Sequence, residues 1–173
     1  AVYDADLHVG IDKIVLTDAN GTATGSGEAV AITISADSAT AANTLIIDGS
    51  VVTDSLDDLT VTNNAASTLT SYTITGGAGD DILAGSNAAD TITGGTGTNS
   101  LTGNSGNDIL TGGAGVDTIS DGAGNDIVDA AAGNDIITMG AGNDNITAGT
   151  GTDAITATTN LTSADTLAGG AGT

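Results

Sequence analysis

The sequence predicts an all-β fold, a right-handed parallel β-roll over residues 67–173 with a β-rich cap or small β domain in residues 1–66. Three observations predict it. Residues 76–156 divide without a gap into nine nonapeptides. Within each nonapeptide only the eighth position is always aliphatic, so each short strand has a single inward face. Finally, the 173 residues include 27 Gly but no Pro, Phe, Trp or Cys, and aromatics are 1%. A thick core of large side chains is out of reach for such a chain, whereas Ala, Val, Ile and Leu can fill the thin space between two short-stranded sheets.

From Gly76 the copies read GGAGDDILA, GSNAADTIT, GGTGTNSLT, GNSGNDILT, GGAGVDTIS, DGAGNDIVD, AAAGNDIIT, MGAGNDNIT and AGTGTDAIT. Position 8 runs Leu83, Ile92, Leu101, Leu110, Ile119, Val128, Ile137, Ile146 and Ile155. Position 6 runs Asp81, Asp90, Asn99, Asp108, Asp117, Asp126, Asp135, Asp144 and Asp153, and position 4 is Gly in every copy but the second, which has Ala88. Positions 1 to 6 are Gly-rich because the chain must turn tightly, and Gly accepts positive φ without a Cβ penalty. Asn107, Asn125, Asn134 and Asn143 at position 5 read as the next best residues for that conformation. Positions 7 to 9, rich in Ile, Leu, Val and Thr, suit a strand. Two repeats make one coil, so repeat n lies on repeat n+2 at about 4.8 Å.

The nonapeptides resemble the RTX (repeats-in-toxin) family, G-G-x-G-x-D-x-U-x with U aliphatic. The likeness covers 76–156 closely and extends more loosely to Asp165 and Leu167, which keep the Asp-to-aliphatic offset after the irregular stretch 157–164. It implies calcium ions between successive turns, secretion through a type I system as an unfolded chain, and folding in external calcium.

The residues argue for a cation on their own account. Stacking n on n+2 puts Asp81, Asn99, Asp117, Asp135 and Asp153 along one edge, and Asp90, Asp108, Asp126 and Asp144 along the other, with Asp165 continuing it. Neighbouring carboxylates in such a column repel by about 1 kcal/mol in water and several times that when partly buried. A hard dication reverses the sign: Ca²⁺ takes six to eight oxygens, which two Asp side chains and turn carbonyls supply, giving roughly seven sites. The candidate carbonyls belong to Gly77, Gly79, Gly95, Gly97, Gly106, Gly113, Gly115, Gly122, Gly124, Gly133, Gly140, Gly142, Gly149 and Gly151. Metal binding and folding are then one event, the chain being disordered without calcium. Asn99 removes one charge from the two sites it shares, and the Gly-poor turns of repeats two and seven are expected to distort the sites at Asp90 and Asp135. Asp80, Asp121 and Asp129, outside position 6, read as solvated.

Ahead of the repeats, strands are expected over 13–17, 30–35, 44–48, 59–63 and 69–75, with Asn20-Gly21 and Gly25-Ser26-Gly27 as turns or loops. Residues 67–75 already fit the repeat frame, with Tyr72 at position 6 and Ile74 at position 8, and are expected to form a metal-free capping coil. The preferred arrangement for the rest is continuous β structure stacked on the roll. Asp4, Asp6, Asp12, Asp18, Asp54, Asp57 and Asp58 read as solvated surface. His8 is the single histidine, so no zinc site or catalytic triad can be assembled around it; with Tyr3 it reads as a packing or surface residue.

The net charge of −21, with Lys13 the one basic residue, makes nucleic acid and anionic membrane surfaces poor partners. No apolar run approaches the 18 residues of a spanning helix, and no direct membrane insertion is expected. No catalytic motif is present, so an enzyme is not expected. The leading expectation is a secreted or cell-surface structural protein that self-associates in calcium into a surface layer (S-layer), filament or matrix, as in the RTX-containing S-layers it resembles. The alternative is the calcium-folding secretion module of a larger toxin or hydrolase, and the termini read as those of a processed product or of part of a longer protein. An ice-binding or adhesive face is less expected, because position 3 is mostly Ala.

Overall fold

The computed structural model describes residues 2–3, 13–15, 29–34, 43–50, 52, 58–63, 70–157 and 161–172. They form sixteen strands in two parallel sheets of eight. One sheet stacks β1 (Val2–Tyr3), β3 (Val30–Ile34), β5 (Leu59–Asn63), β7 (Ile82–Ala84), β9 (Ser100–Thr102), β11 (Thr118–Ser120), β13 (Ile136–Met139) and β15 (Ala154–Ala157) in that order. The other stacks β2 (Lys13–Val15), β4 (Asn43–Asp48), β6 (Thr70–Ala78), β8 (Thr91–Thr96), β10 (Ile109–Ala114), β12 (Ile127–Ala132), β14 (Asn145–Thr147) and β16 (Thr166–Ala168). The chain alternates between sheets at every strand, which makes a parallel β-solenoid.

The register is the one the nine-residue period demands. Leu83 pairs with Leu101, Leu101 with Ile119, Ile119 with Ile137 and Ile137 with Ile155. On the opposite sheet Ile92, Leu110, Val128, Ile146 and Leu167 align in the same way. The position-8 side chains from Leu83 to Ile146 are at most 1% exposed and form one continuous core. Slipping any strand by one residue would turn this row to solvent, which fixes the stacking.

Every strand expected before the repeats is present. β5 has the expected bounds; residues 16–17 of the expected first strand lie outside the described residues, and β6 runs on to Ala78 because the first turn residues keep pairing with β8. The strands on either side of residue 66 belong to the same two sheets. Tyr72 occupies position 6 and Ile74 position 8, since Ile74 pairs with Ile92. Leu45 pairs with Tyr72, and Val61 with Leu83, so Leu45 and Leu59 also stand at position 6. All three are buried. The loops at 20–21 and 25–27, His8, the Tyr3 side chain and Asp4, Asp6, Asp12, Asp18, Asp54 and Asp57 lie outside the described residues.

Positions 2 and 4 carry the left-handed backbone, as at Gly95 (φ 113°) and Gly97 (φ 110°), where a Cβ would also collide with the glycine carbonyl one coil back. Asn104 (φ 77°) and Ala131 (φ 72°) tolerate the same conformation. The position-5 asparagines do not adopt it, contrary to expectation. Their side chains instead accept a backbone hydrogen bond from the next coil: Asn125 N–H donates to Asn107 Oδ1 (2.8 Å), Asn143 N–H to Asn125 Oδ1 (2.9 Å) and Thr152 N–H to Asn134 Oδ1 (2.8 Å).

Candidate metal centre

Position 6 is the last turn residue before each strand, and stacking brings these residues into two buried columns. Asp81, Asp90, Asn99, Asp108, Asp117, Asp126, Asp135 and Asp144 are all at most 2% exposed. Asp153 and Asp165, toward the end of the roll, are partly buried. Within a column, each Oδ1 accepts the backbone N–H of the position-6 residue one coil back. Asp81 N–H donates to Asn99 Oδ1 (3.0 Å), Asn99 to Asp117 (2.8 Å), Asp117 to Asp135 (2.8 Å) and Asp135 to Asp153 (3.0 Å). On the other edge Asp90 donates to Asp108 (2.8 Å), Asp108 to Asp126 (2.8 Å), Asp126 to Asp144 (3.0 Å) and Asp144 to Asp165 (2.8 Å).

The second oxygen is left over. Oδ2 of Asp81, Asp108, Asp117, Asp126, Asp135, Asp144 and Asp153 is buried with no hydrogen-bond partner among the described residues. An unpaired buried carboxylate oxygen is costly, and a repeated one marks a missing partner. A main-chain carbonyl oxygen approaches the same place. The Cβ that Gly112 lacks would lie 2.5 Å from Asp117 Oδ2 and 2.8 Å from the Ala130 carbonyl oxygen of the next coil. Gly76 and Gly103 stand in the same way between Asp81 or Asp108 Oδ2 and the position-1 carbonyl one coil on, whereas at Gly94 the side-chain atom is Asn99 Nδ2 and at Gly85 it is Asp90 Oδ2, which already accepts Ser86 N–H (2.6 Å). A carboxylate and a carbonyl converging without a proton donor is a donor set for a hard cation.

Electrostatics agree. Burial is the main cause of raised carboxyl pKa values at Asp81, held at about 6, and Asp108, held at about 7, with neighbouring carboxylates adding to it. Burial likewise raises Asp90, Asp117, Asp126 and Asp135. No basic side chain occurs after Lys13, which stands 3.5 Å from Asp48. The compensating charge must therefore come from solution.

Three placements differ from the sequence reading. First, Asp121 is not solvated: it is fully buried, its Oδ2 is unpartnered, and burial holds its carboxyl at about 6. It stands at position 1, where the neighbouring copies have Ala130, Met139 and Ala148, all buried, so the column itself was the sign of an interior site. Asp80 and Asp129, by contrast, are exposed as expected. Second, position-1 carbonyls stand beside the orphaned oxygens and join the candidate carbonyls named from the sequence. Among those candidates, the Gly122 and Gly149 carbonyls also accept Ala141 N–H (2.8 Å) and Ala171 N–H (2.9 Å), each keeping a second lone pair. Third, the two Gly-poor turns part company. Repeat seven keeps its shape through Ala131, and Asp135 resembles its neighbours. In repeat two, Ser86 donates its N–H (2.6 Å) and Oγ–H (3.0 and 3.2 Å to the two oxygens) to Asp90, which is satisfied internally. At Asn99 the buried atom facing the gap is the Nδ2 amide, a donor with nothing to offer a cation.

Buried carboxylate columns between the coils of a parallel β-roll define a calcium-binding repeat protein. The family model of the RTX calcium-binding nonapeptide repeat (4 copies) matches residues 73–101, 102–137 and 140–158. This part of the chain is an array of RTX repeats, and the repeats bind Ca²⁺. No curated protein and no solved structure matches the chain. The Asp side chains of the two columns, with position-1 carbonyls, are the groups that would hold the ions. Bound calcium would supply the charge that offsets the stacked carboxylates; the chain supplies oxygens held at fixed spacing by the Oδ1 ladder.

Proposed function

We propose that this chain is a non-enzymatic structural protein of the cell exterior, folded by calcium and assembled with its own kind into a surface layer, filament or matrix. RTX repeats are typical of secreted proteins, and millimolar extracellular calcium is the regime in which modest-affinity oxygen sites fill. The observation that carries the reading is the pair of buried columns with orphaned Oδ2 atoms: a roll that coheres only when metal is present suits a protein that must stay unfolded until it leaves the cell. Assembly draws support from the sheet faces within the repeats. Ile109 (45% exposed) and Ile127 (48% exposed) pair on neighbouring strands of one sheet, and Ile82 (51% exposed) and Ile136 (49% exposed) stand on the other. A second copy would cover this apolar surface. The non-enzymatic reading rests on the single His, the absence of Cys and the near absence of aromatics to line a cleft.

Electron microscopy of the purified chain, with calcium and with a chelator, tests this. Calcium-dependent sheets or filaments are expected. A monomer that stays soluble at high concentration in calcium would overturn the assembly reading and favour a secretion module.

A further inference from the structure

We propose that Asp121 converts the gap between the sixth and eighth repeats into a three-carboxylate calcium site, shared with Asp126 and Asp144, and that this site fills first. The proposal rests on the repeats binding calcium and is independent of assembly.

Asp121 stands where the repeat pattern calls for glycine, so its carboxylate is additional to the position-6 column. Its Oδ1 accepts N–H from Gly122 (2.6 Å) and from Gly140 (2.7 Å), which carries the side chain from its own coil to the next. One oxygen each of Asp121, Asp126 and Asp144 lies within 4.8 Å of the others, all three residues being buried. The Oδ2 atoms of all three lack a hydrogen-bond partner among the described residues. No Lys or Arg occurs in the repeats, and an all-oxygen cluster of carboxylates selects a hard divalent cation over softer metals.

The other copies carry Gly, Ala or Met at position 1, so none of the other gaps gains a carboxylate there. Calcium affinity rises with the number of charged ligands and with the rigidity of the site. Both favour this gap: it has three carboxylates where its neighbours have two, and Asp121 is clamped by two backbone donors. In a repeat array the first ordered pair of coils is the template on which neighbours stack, so the tightest site sets where calcium-driven order begins.

The test is calorimetric titration of the full chain with CaCl₂, against a magnesium background, for wild type, Asp121→Asn, Asp121→Gly and the exposed control Asp129→Asn, with circular dichroism read at each step. Asp121→Asn retains an oxygen for Gly122 and Gly140 while removing the charge; Asp121→Gly restores the residue that five copies already use. Wild type and Asp129→Asn are expected to share one early step at least tenfold tighter than the rest. In both Asp121 variants that step weakens at least tenfold, while the later steps and the final β signal persist. Asp121 variants that titrate like wild type, in a roll that still folds with calcium, overturn the inference and leave calcium binding by the repeats intact. A wild-type chain that takes up no calcium removes both.

Discussion

The same ladder position is filled in opposite ways in the two parts of the roll. In the coils before residue 76 it holds Leu45, Leu59 and Tyr72, all buried among the core side chains. From residue 81 it holds Asp or Asn, equally buried as far as Asp144, facing gaps between coils. The backbone does not distinguish them: Leu59 N–H donates to Asp81 Oδ1 (2.7 Å) and Tyr72 N–H to Asp90 Oδ1 (2.6 Å), continuing the ladder that runs from Asp to Asp further on. One scaffold therefore supports two kinds of coil. Apolar position-6 residues add to the core and need no partner, whereas carboxylates at the same place subtract from it until a cation arrives.

Removing calcium should separate the two parts most sharply. Hydrogen exchange read by mass spectrometry, with and without chelator, is expected to show the largest loss of protection over residues 81–157 and a smaller loss over β4, β5 and β6. Equal loss in both regions, or protection that survives chelation over the repeats, would erase the distinction.

Acid should do part of calcium's work. In the folded roll burial holds Asp81 at about 6, Asp108 at about 7 and Asp121 at about 6, against an ordinary 3.8. The folded coil thus binds protons that the unfolded chain has already released, and stability rises as pH falls. This contribution is complete below about 3.8 and is lost as pH rises through 6 to 7. In metal-stripped buffer the β signal is expected to return as pH falls from neutral towards 5, while the coils of β4, β5 and β6, with Leu45, Leu59 and Tyr72 at position 6, change little. A flat pH profile without metal would mean that the carboxylates are not what opposes folding.

How far this was legible in the sequence depends on what carries each feature. A strict nine-residue period with one aliphatic position set strand, register and the two Asp columns at once, and the alternation of Val30, Ile32 and Ile34 was enough to find β3. The place of Tyr72 followed from extending the same frame backwards. What escaped were features of the space between coils. Asp121 was misread because it departs from the repeat pattern, although the Gly, Ala and Met at position 1 of the other copies marked it as interior. The position-5 asparagines were assigned to backbone conformation, whereas their role is to accept an N–H from a coil eighteen residues away. The position-1 carbonyls were not singled out, since every residue has a carbonyl and only three-dimensional stacking shows which of them stand beside Asp Oδ2.

The smallest expected effect lies at the seam between the two kinds of coil, at Asp90. This carboxylate belongs to the metal column by sequence, yet Ser86 satisfies it, and the Ser86 Oγ also accepts Ala88 N–H (3.0 Å). The Gly85 carbonyl of the same turn is taken by the Asn63 (3.0 Å) and Asn104 (2.8 Å) amides. This turn gives the Asp90 carboxyl its hydrogen-bond partners without metal, as befits the first rung above apolar coils. Ser86→Ala leaves the backbone donor in place and removes only the hydroxyl, at a cost of about 1–2 kcal/mol. Measured by denaturant unfolding, the loss should persist at saturating calcium, because no ion replaces the hydroxyl. If high calcium abolishes it, Asp90 is a metal ligand like Asp108, and the boundary between self-sufficient and metal-dependent coils moves one rung towards the N-terminus.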